Sequence, residues 1–387
     1  MVRMTAPPTE ASFTSRLRSP AVAARVGLWL GVCFGIAFVT GLISHYAQVQ
    51  RPPIPFPTHP AWGYRLTQGL HLLSGCAAVP LLLVKLWTVY PRLFLRPRRE
   101  LRLLLVDALE RASIGVLVAS AIFQLVSGLA NVTEWYPWTF SFRPTHYALG
   151  WVAIGALVVH VAVKLPIIRA VLTSDVEDTT HDRPSATRAS PLTRRGFLGA
   201  TGMAAGVSVL AVAGNTVSPL RRVSVLAPHS GNGPQDLPIT KSARAAGVQA
   251  AATSADYRLQ VVHGDRITTL TRGDLLAMPQ RTHELPIACV EGWSRNATWT
   301  GVRLRDLLDL VDAPQRPDLA VFSLQRTGAF KSTVLQGNFA DDERTLLALT
   351  LNGEPLALDH GYPARIIAPD RPGVLQTKWV QRIEVIA

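Results

Sequence analysis

Four apolar stretches constrain this chain more than anything else in it. Residues 26–44, 70–90, 112–130 and 147–168 each run for about 19–22 residues with few charges, and about 20 apolar residues let a helix cross the hydrocarbon core of a bilayer. Inside hydrocarbon the backbone amides have to be satisfied within the segment, so a membrane helical bundle is the expected fold. The connections set its orientation. Residues 91–106 carry Arg92, Arg96, Arg98, Arg99 and Arg102, whereas the connections 46–64 and 131–146 carry one arginine each, Arg51 and Arg143. An excess of Lys and Arg marks the cytoplasmic side. The N-terminal tail (1–25) and the 91–106 connection are therefore expected inside the cytoplasmic membrane, and the other two connections outside. Trp62, Tyr64, Trp135, Tyr136 and Trp138 crowd the outer connections, as an interfacial aromatic belt requires.

The formal net charge of +13 would suit a nucleic-acid partner if it lay on a soluble surface. It does not. Residues 1–195 hold 20 Lys/Arg against 9 Asp/Glu, and residues 196–387 hold 19 against 17. The surplus flanks the apolar stretches, so no nucleic-acid partner is expected, and the lipid bilayer is. Of the three cysteines, Cys33 and Cys76 fall inside apolar stretches and read as core thiols. Nothing in the spacing suggests a disulfide framework or a zinc site.

After the four-helix region (26–171) comes a polar cytoplasmic linker (172–195) that ends in Thr193-Arg194-Arg195-Gly196-Phe197-Leu198. A fifth, shorter apolar segment follows at 196–214. An arginine pair before a modest apolar segment resembles the signal of the twin-arginine export pathway, and a retained anchor helix leading outward is expected. Residues 215–252 are rich in Gly, Pro, Ser and Ala and read as a flexible linker. From 253 to 387 the pattern changes to short strands (257–262, 267–270, 379–386) and short helices (272–277, 304–311). That is the signature of a soluble α+β domain large enough for one core.

This domain holds the third cysteine, in Ala288-Cys289-Val290-Glu291-Gly292-Trp293-Ser294-Arg295-Asn296. An isolated cysteine is ordinarily a small buried hydrophobe. Here an apolar run, 285–290, reads as a strand that opens into a loop at the cysteine, and rigidly supported loops are where ligand-binding residues gather. The segment resembles the cysteine loop of the sulfite-oxidase-type molybdopterin oxidoreductases. A second stretch agrees, from His360-Gly361-Tyr362-Pro363-Ala364-Arg365 through Pro372-Gly373 to Lys378-Trp379. The resemblance implies that Cys289 is the catalytic residue and binds molybdenum through sulfur. It also implies that His360, Arg365 and Lys378 hold the molybdopterin and its phosphate, with Arg295 beside them. Trp293, Arg295 and Asn296 would line the substrate side.

The membrane region carries its own candidates. Ionisable groups inside a bilayer are costly and are functional by default. His45, His71 and His146 all lie at the outer ends of their stretches. His160 follows His146 by 14 residues, about 21 Å deeper and about 40° round a helix. The fourth stretch resembles that of the membrane b-type cytochrome subunits of formate dehydrogenases and hydrogenases, which implies haem b. His71 and His146 share one depth on different helices and are the expected iron ligands. His45 and His160 remain further candidates, and one haem is expected, two being the alternative.

The whole chain thus reads as a membrane-anchored molybdenum oxidoreductase with an extracytoplasmic catalytic domain. It would exchange electrons with the quinone pool through haem b, acting on a small oxo-donor or oxo-acceptor. The rival reading is a haem b electron-transfer protein whose shortened C-terminal domain is only a docking module.

Overall fold

The apolar stretches fold as helices, the first four of which begin about one to three turns before their apolar cores, because the flanking residues continue the hydrogen-bond ladder. They are α1 (Pro20–Ala47), α2 (Gly63–Val89), α3 (Leu101–Val132), α4 (Phe142–Thr173) and α5 (Arg194–Ala213). All five are long and apolar enough to cross a membrane. The computed structural model describes residues 9–94, 100–227 and 233–386, with the backbone alone at 101–103 and 106. Three of the five arginines of the expected cytoplasmic loop, Arg96, Arg98 and Arg99, lie outside the described residues, as do residues 1–8 of the tail.

The chain forms two compact units. The first comprises residues 1–39 and 70–212, that is, the body of the helical bundle. One end of it is tied by side chains that reach for backbone carbonyls. Arg25 donates to the carbonyl oxygens of Val171 (2.9 Å) and Ser174 (2.7 Å). Lys85 Nζ donates to that of Ala23 (2.8 Å), and Lys164 pairs with Glu110. The expected linker 172–195 is held as well. Arg194 is buried, donates to the carbonyl oxygens of Val176 (3.1 Å) and Asp178 (2.7 Å), and pairs with Asp182.

The second unit comprises residues 40–69 and 213–387. It contains two five-stranded sheets. One runs in the order β2 (Arg266–Leu270), β1 (Leu259–His263), β10 (Val380–Ile386), β5 (Asp318–Ser323), β6 (Ser332–Leu335), with β1 and β10 parallel. The other runs β3 (Gln280–Ala288), β4 (Ser294–Arg303), β7 (Leu346–Leu351), β8 (Glu354–Pro355), with β9 (Arg365–Ile367) also on β7. Pro286 sits in β3, which is an edge strand, where a missing N–H costs no ladder bond. A core of Leu259, Val261, Leu307, Leu319, Phe339 and Ile383 serves the first sheet, and one of Leu285, Ile287, Trp299, Leu346 and Ile367 serves the second.

Two segments differ from the expectation. Residues 215–252 are not a free linker throughout. Ser242 caps a short helix, Ala243–Ala246, by accepting from Ala245 N, and a second helix, Gln249–Thr253, follows. Ala243, Val248 and Ala252 are buried against Trp379. An alanine-rich stretch looks like a linker by composition, yet small side chains are what lets a helix lie close to an indole. The connection between α1 and α2 also belongs to the second unit. Gln50 accepts from Val334 N (3.0 Å), the Phe56 carbonyl oxygen accepts from Asn338 (2.7 Å), and that of Thr58 accepts from Arg344 (3.2 Å).

Candidate functional site

The thiol of Cys289 stands where β3 gives way to β4. Cys289 N donates to the Trp293 carbonyl oxygen (2.9 Å), and Gly292 N donates back to that of Cys289 (3.1 Å), which closes a tight turn. Cys289 and Trp293 are both buried, in the core of the second sheet. The thiol lies against the Glu291 carboxylate, and Thr240 Oγ1 is 3.6 Å from Sγ and donates to Glu291 Oε2 (3.2 Å). Burial first, and then the Glu291 charge, hold the Cys289 thiol well above its ordinary pKa. Without a metal it is a neutral S–H beside a carboxylate that can accept its proton.

The loop 360–378 packs onto this strand end. A Cβ on Gly373 would lie 2.9 Å from the Ala288 carbonyl oxygen, so only glycine lets the turn approach the residue before the cysteine. Gly361, at φ 113°, is in the left-handed region, and a Cβ there would meet Arg365 Cβ at 3.0 Å and Lys378 Cβ at 3.1 Å. This glycine holds the Arg365 and Lys378 side chains together at their roots.

Those cations are the unusual feature. Arg365 is 3% exposed, donates to the carbonyl oxygens of His360 (3.0 Å) and Gln376 (3.4 Å), and lies over the Trp299 ring. Lys378 Nζ donates to the carbonyl oxygens of Lys241 (2.6 Å) and Asp359 (2.8 Å). Arg371, also 3% exposed, donates to those of Leu375 (3.2 Å) and Val334 (2.7 Å). Among the described residues none of the three forms an ion pair, and Arg365 Nε is buried without an acceptor. Burial pulls the Arg365 and Arg371 guanidinium groups down to about 10 and about 9. Burial and the neighbouring Arg365 bring the Lys378 ammonium to about 7. An unneutralised buried cation costs on the order of several kcal/mol, so the buried Arg365, with the half-buried Lys378 beside it, calls for an anion.

His360 is buried, its Nε2 is 2.7 Å from the Pro234 carbonyl oxygen, and burial brings it to about 4. Neutral at pH 7, it adds no charge to the group. Arg295 is buried as well and donates to the carbonyl oxygens of Asn215 and Ser294 (2.8 Å each). Burial, then repulsion from Arg221, lower it to about 10. Asn296 is exposed, donates to Glu284 Oε1 (3.1 Å), and accepts from Arg65 (2.5 Å). Arg371 and Thr240 were not singled out by the sequence. An arginine inside the Pro/Gly-rich run 367–373 was the available signal for the first, and nothing local marks the second.

Among the described residues no three His, Cys, Asp or Glu side chains gather as a metal-binding set. A lone thiolate therefore suits a metal that arrives with its other ligands already attached. The buried cations beside it suit a group carrying a phosphate. Comparison with known proteins agrees. Residues 245–387 match the family described as oxidoreductase molybdopterin binding domain. The C-terminal unit carries a molybdopterin-binding domain. Mitochondrial sulfite oxidase of Drosophila melanogaster is 31% identical over 155 residues, which are 34% of this chain and 27% of that protein. The uncharacterised oxidoreductase YuiH of Bacillus subtilis is 31% identical over 121 residues, 31% of this chain and 60% of its own length. The chain thus spans about a quarter of the sulfite oxidase it matches. A solved structure, the sulfane dehydrogenase SoxCD of Paracoccus pantotrophus, is 27% identical with a TM-score of 0.31, over 34% of this chain and 38% of that one.

In the first unit, His71 on α2 and His146 on α4 face each other with ring centroids 6.2 Å apart. Each ring's Nδ1 has a partner, the Ala37 carbonyl oxygen at 2.8 Å for His71 and Ser127 Oγ at 3.1 Å for His146. A proton on His71 Nδ1 leaves Nε2 as the basic nitrogen of that ring, the pattern of a metal-ligating histidine held by its outer neighbour. His160 is half-buried on α4, near the charges of Lys85, Lys164 and Glu110. Among the described residues its ring meets no other histidine ring. His45 is exposed near the end of α1.

Proposed function

We propose that this protein is a membrane-anchored molybdopterin-dependent oxidoreductase that exchanges electrons between an extracytoplasmic molybdenum site and the quinone pool through haem b. The observation that carries the reading is the set of cations in the loop that packs against Cys289, Arg365 and Arg371 buried and Lys378 half-buried beside Arg365, none of them in an ion pair among the described residues. The molybdenum cofactor, when bound, supplies two-electron oxo-transfer chemistry. The chain's own residues do the rest. Cys289 provides the thiolate, and Glu291 Oε2 takes the proton that Sγ has to lose. Arg365, Arg371 and Lys378 neutralise the pterin phosphate. Trp293, buried beside the thiol, keeps bulk water from the sulfur.

His71 and His146 support the haem. The two rings, with centroids 6.2 Å apart, would hold the haem iron, which would supply one-electron transfer. The arginine-poor connections 46–64 and 131–146 support an outward-facing catalytic domain. The relatives named above are a sulfite oxidase and an oxidoreductase, so a small sulfur oxo-compound such as sulfite or a sulfoxide is the substrate class to screen. Metal and haem analysis of the purified protein tests the whole reading. About one molybdenum and one haem per chain are expected. Haem without molybdenum would replace it with the electron-transfer protein whose C-terminal domain only docks a partner.

A further inference from the structure

Ala288, the residue that leads into Cys289, is held from two directions. The Gly373 turn presses on its carbonyl oxygen, as described above. The other contact comes from far away in the sequence. Tyr64, in the first turn of α2, is 1% exposed and packs in a small cluster with Ala288, Ala47 and Phe56, all within the second unit. Its ring meets Phe56 edge-on with centroids 6.5 Å apart. The phenol is anchored too. Gln68 Nε2 donates to its oxygen at 2.7 Å, and Ser44 Oγ stands 3.3 Å away.

The backbone of Tyr64 closes the arrangement. Tyr64 N donates to Asp370 Oδ1 (2.5 Å), and Asp370 has the left-handed φ of 56° in the same loop that carries Arg371 and Gly373. A Cβ on Gly63 would lie 3.0 Å from both Asp370 carboxylate oxygens. Tyr64 therefore touches the cysteine strand with its ring and the cofactor loop with its amide. A hydrogen bond to a surface loop would need neither a buried aromatic ring nor a pinned phenol.

We infer that Tyr64 is a positioning residue for the Cys289 sulfur, setting the strand end from which the thiolate reaches its metal. The helix that carries His71 seven residues later thus also supplies a wall of the molybdenum site. The inference rests on the molybdenum reading of Cys289. Packing of this kind holds reacting groups to fractions of an ångström.

The test uses the full-length protein with Tyr64→Phe, Tyr64→Leu and Tyr64→Ala. Molybdenum content, the Mo(V) electron paramagnetic resonance signal and substrate turnover are measured. Alkylation of Cys289 by iodoacetamide, read by mass spectrometry in cofactor-free protein, is the readout that needs no metal. Tyr64→Phe keeps the ring against Ala288 and should preserve the signal, with turnover within about twofold. Tyr64→Ala should shift the Mo(V) g-values, lower kcat about tenfold or more, and speed alkylation, with the haem spectrum unchanged. Should the alanine variant fail to fold, Tyr64→Leu retains volume while moving the contact atoms, and it should show a smaller shift in the same sense. An Mo(V) signal and alkylation rate equal to wild type in the alanine or leucine variant would overturn the assignment. Wild-type protein without molybdenum would overturn the reading beneath it instead, while faster alkylation in the variants would still support Tyr64 as the wall of the thiol.

Discussion

At the scale of single residues the proposed molybdenum ligand is Cys289, and its replacement by serine would remove a soft ligand while changing little volume. The expected outcome is loss of turnover and of the molybdenum signal with the haem spectrum intact, read side by side on one sample. Arg365→Met should remove a buried cation that has no acidic partner. Charge-assisted hydrogen bonds contribute about 1.5–3 kcal/mol, so cofactor retention should fall about tenfold or more, measured as molybdenum per chain after dialysis. Asp370 gives a prediction in pH. Burial raises its carboxyl to about 6 from the ordinary 3.8, so between those values the folded state binds more protons than the unfolded one. Its contribution to stability is present below about pH 4 and is lost as pH rises through about 6. Asp370→Asn keeps an acceptor for Tyr64 N and removes the titration, so the fall in Tm between pH 4 and 7 should be smaller in the variant than in wild type. Equal falls would remove Asp370 from the account. Cys289 and Arg365 were legible in the sequence because they sit in two ordered motifs. Asp370 and Tyr64 were not legible as site residues, because no local pattern tells that a residue at 64 meets one at 370.

At the scale of elements, the helices were legible and their ends were not. Apolar length marks a membrane helix, but the polar turns that extend α1 and α2 beyond it are decided by what they pack against. The paired histidines belong to this scale, since each is fixed by the helix that presents it. Removing His71 or His146 should abolish the low-spin haem signal, while His160→Ala should keep most of it. Pyridine haemochrome should give about one haem per chain. A value near two that falls to one in the His160 variant would show a second haem deeper in the bundle. The strand hairpin around Cys289 was read at 285–290 and extends over Gln280–Ala288. Its first five residues are exposed apart from the half-buried His283, on an edge strand, and the lack of an apolar signal hides them from a reading by hydrophobicity.

The two units divide the chain in a way that its order does not suggest, and this is where the largest-scale predictions lie. Because residues 40–69 group with 213–387, a fragment beginning at 213 lacks Gln50, Phe56, Thr58 and Tyr64. Expressed alone it should aggregate or show a markedly lower Tm than the same domain in the full chain, by differential scanning calorimetry. Equal stability would make the connection between α1 and α2 a bystander. Arg194→Lys together with Arg195→Lys tests the export signal. Lysines keep the positive charge, so only a receptor that reads the arginine pair leaves the C-terminal domain protease-protected inside. Arg194 also serves two carbonyl oxygens and Asp182, a task for a planar guanidinium. Normal exposure outside with reduced thermal stability would assign the pair to structure alone. The sequence by itself determined the bundle, its expected orientation, the α+β character of the C-terminal domain and the thiol to examine, because apolar length, charge asymmetry and short motifs are local properties. Only the tertiary structure decided that Arg365 and Arg371 are buried without an ion pair among the described residues, that an alanine-rich stretch packs on Trp379, and that the connection between α1 and α2 joins the second unit. Burial and pairing are set by residues hundreds of positions apart, as Tyr64 and Asp370 are, and no local pattern in the chain encodes which of them will meet.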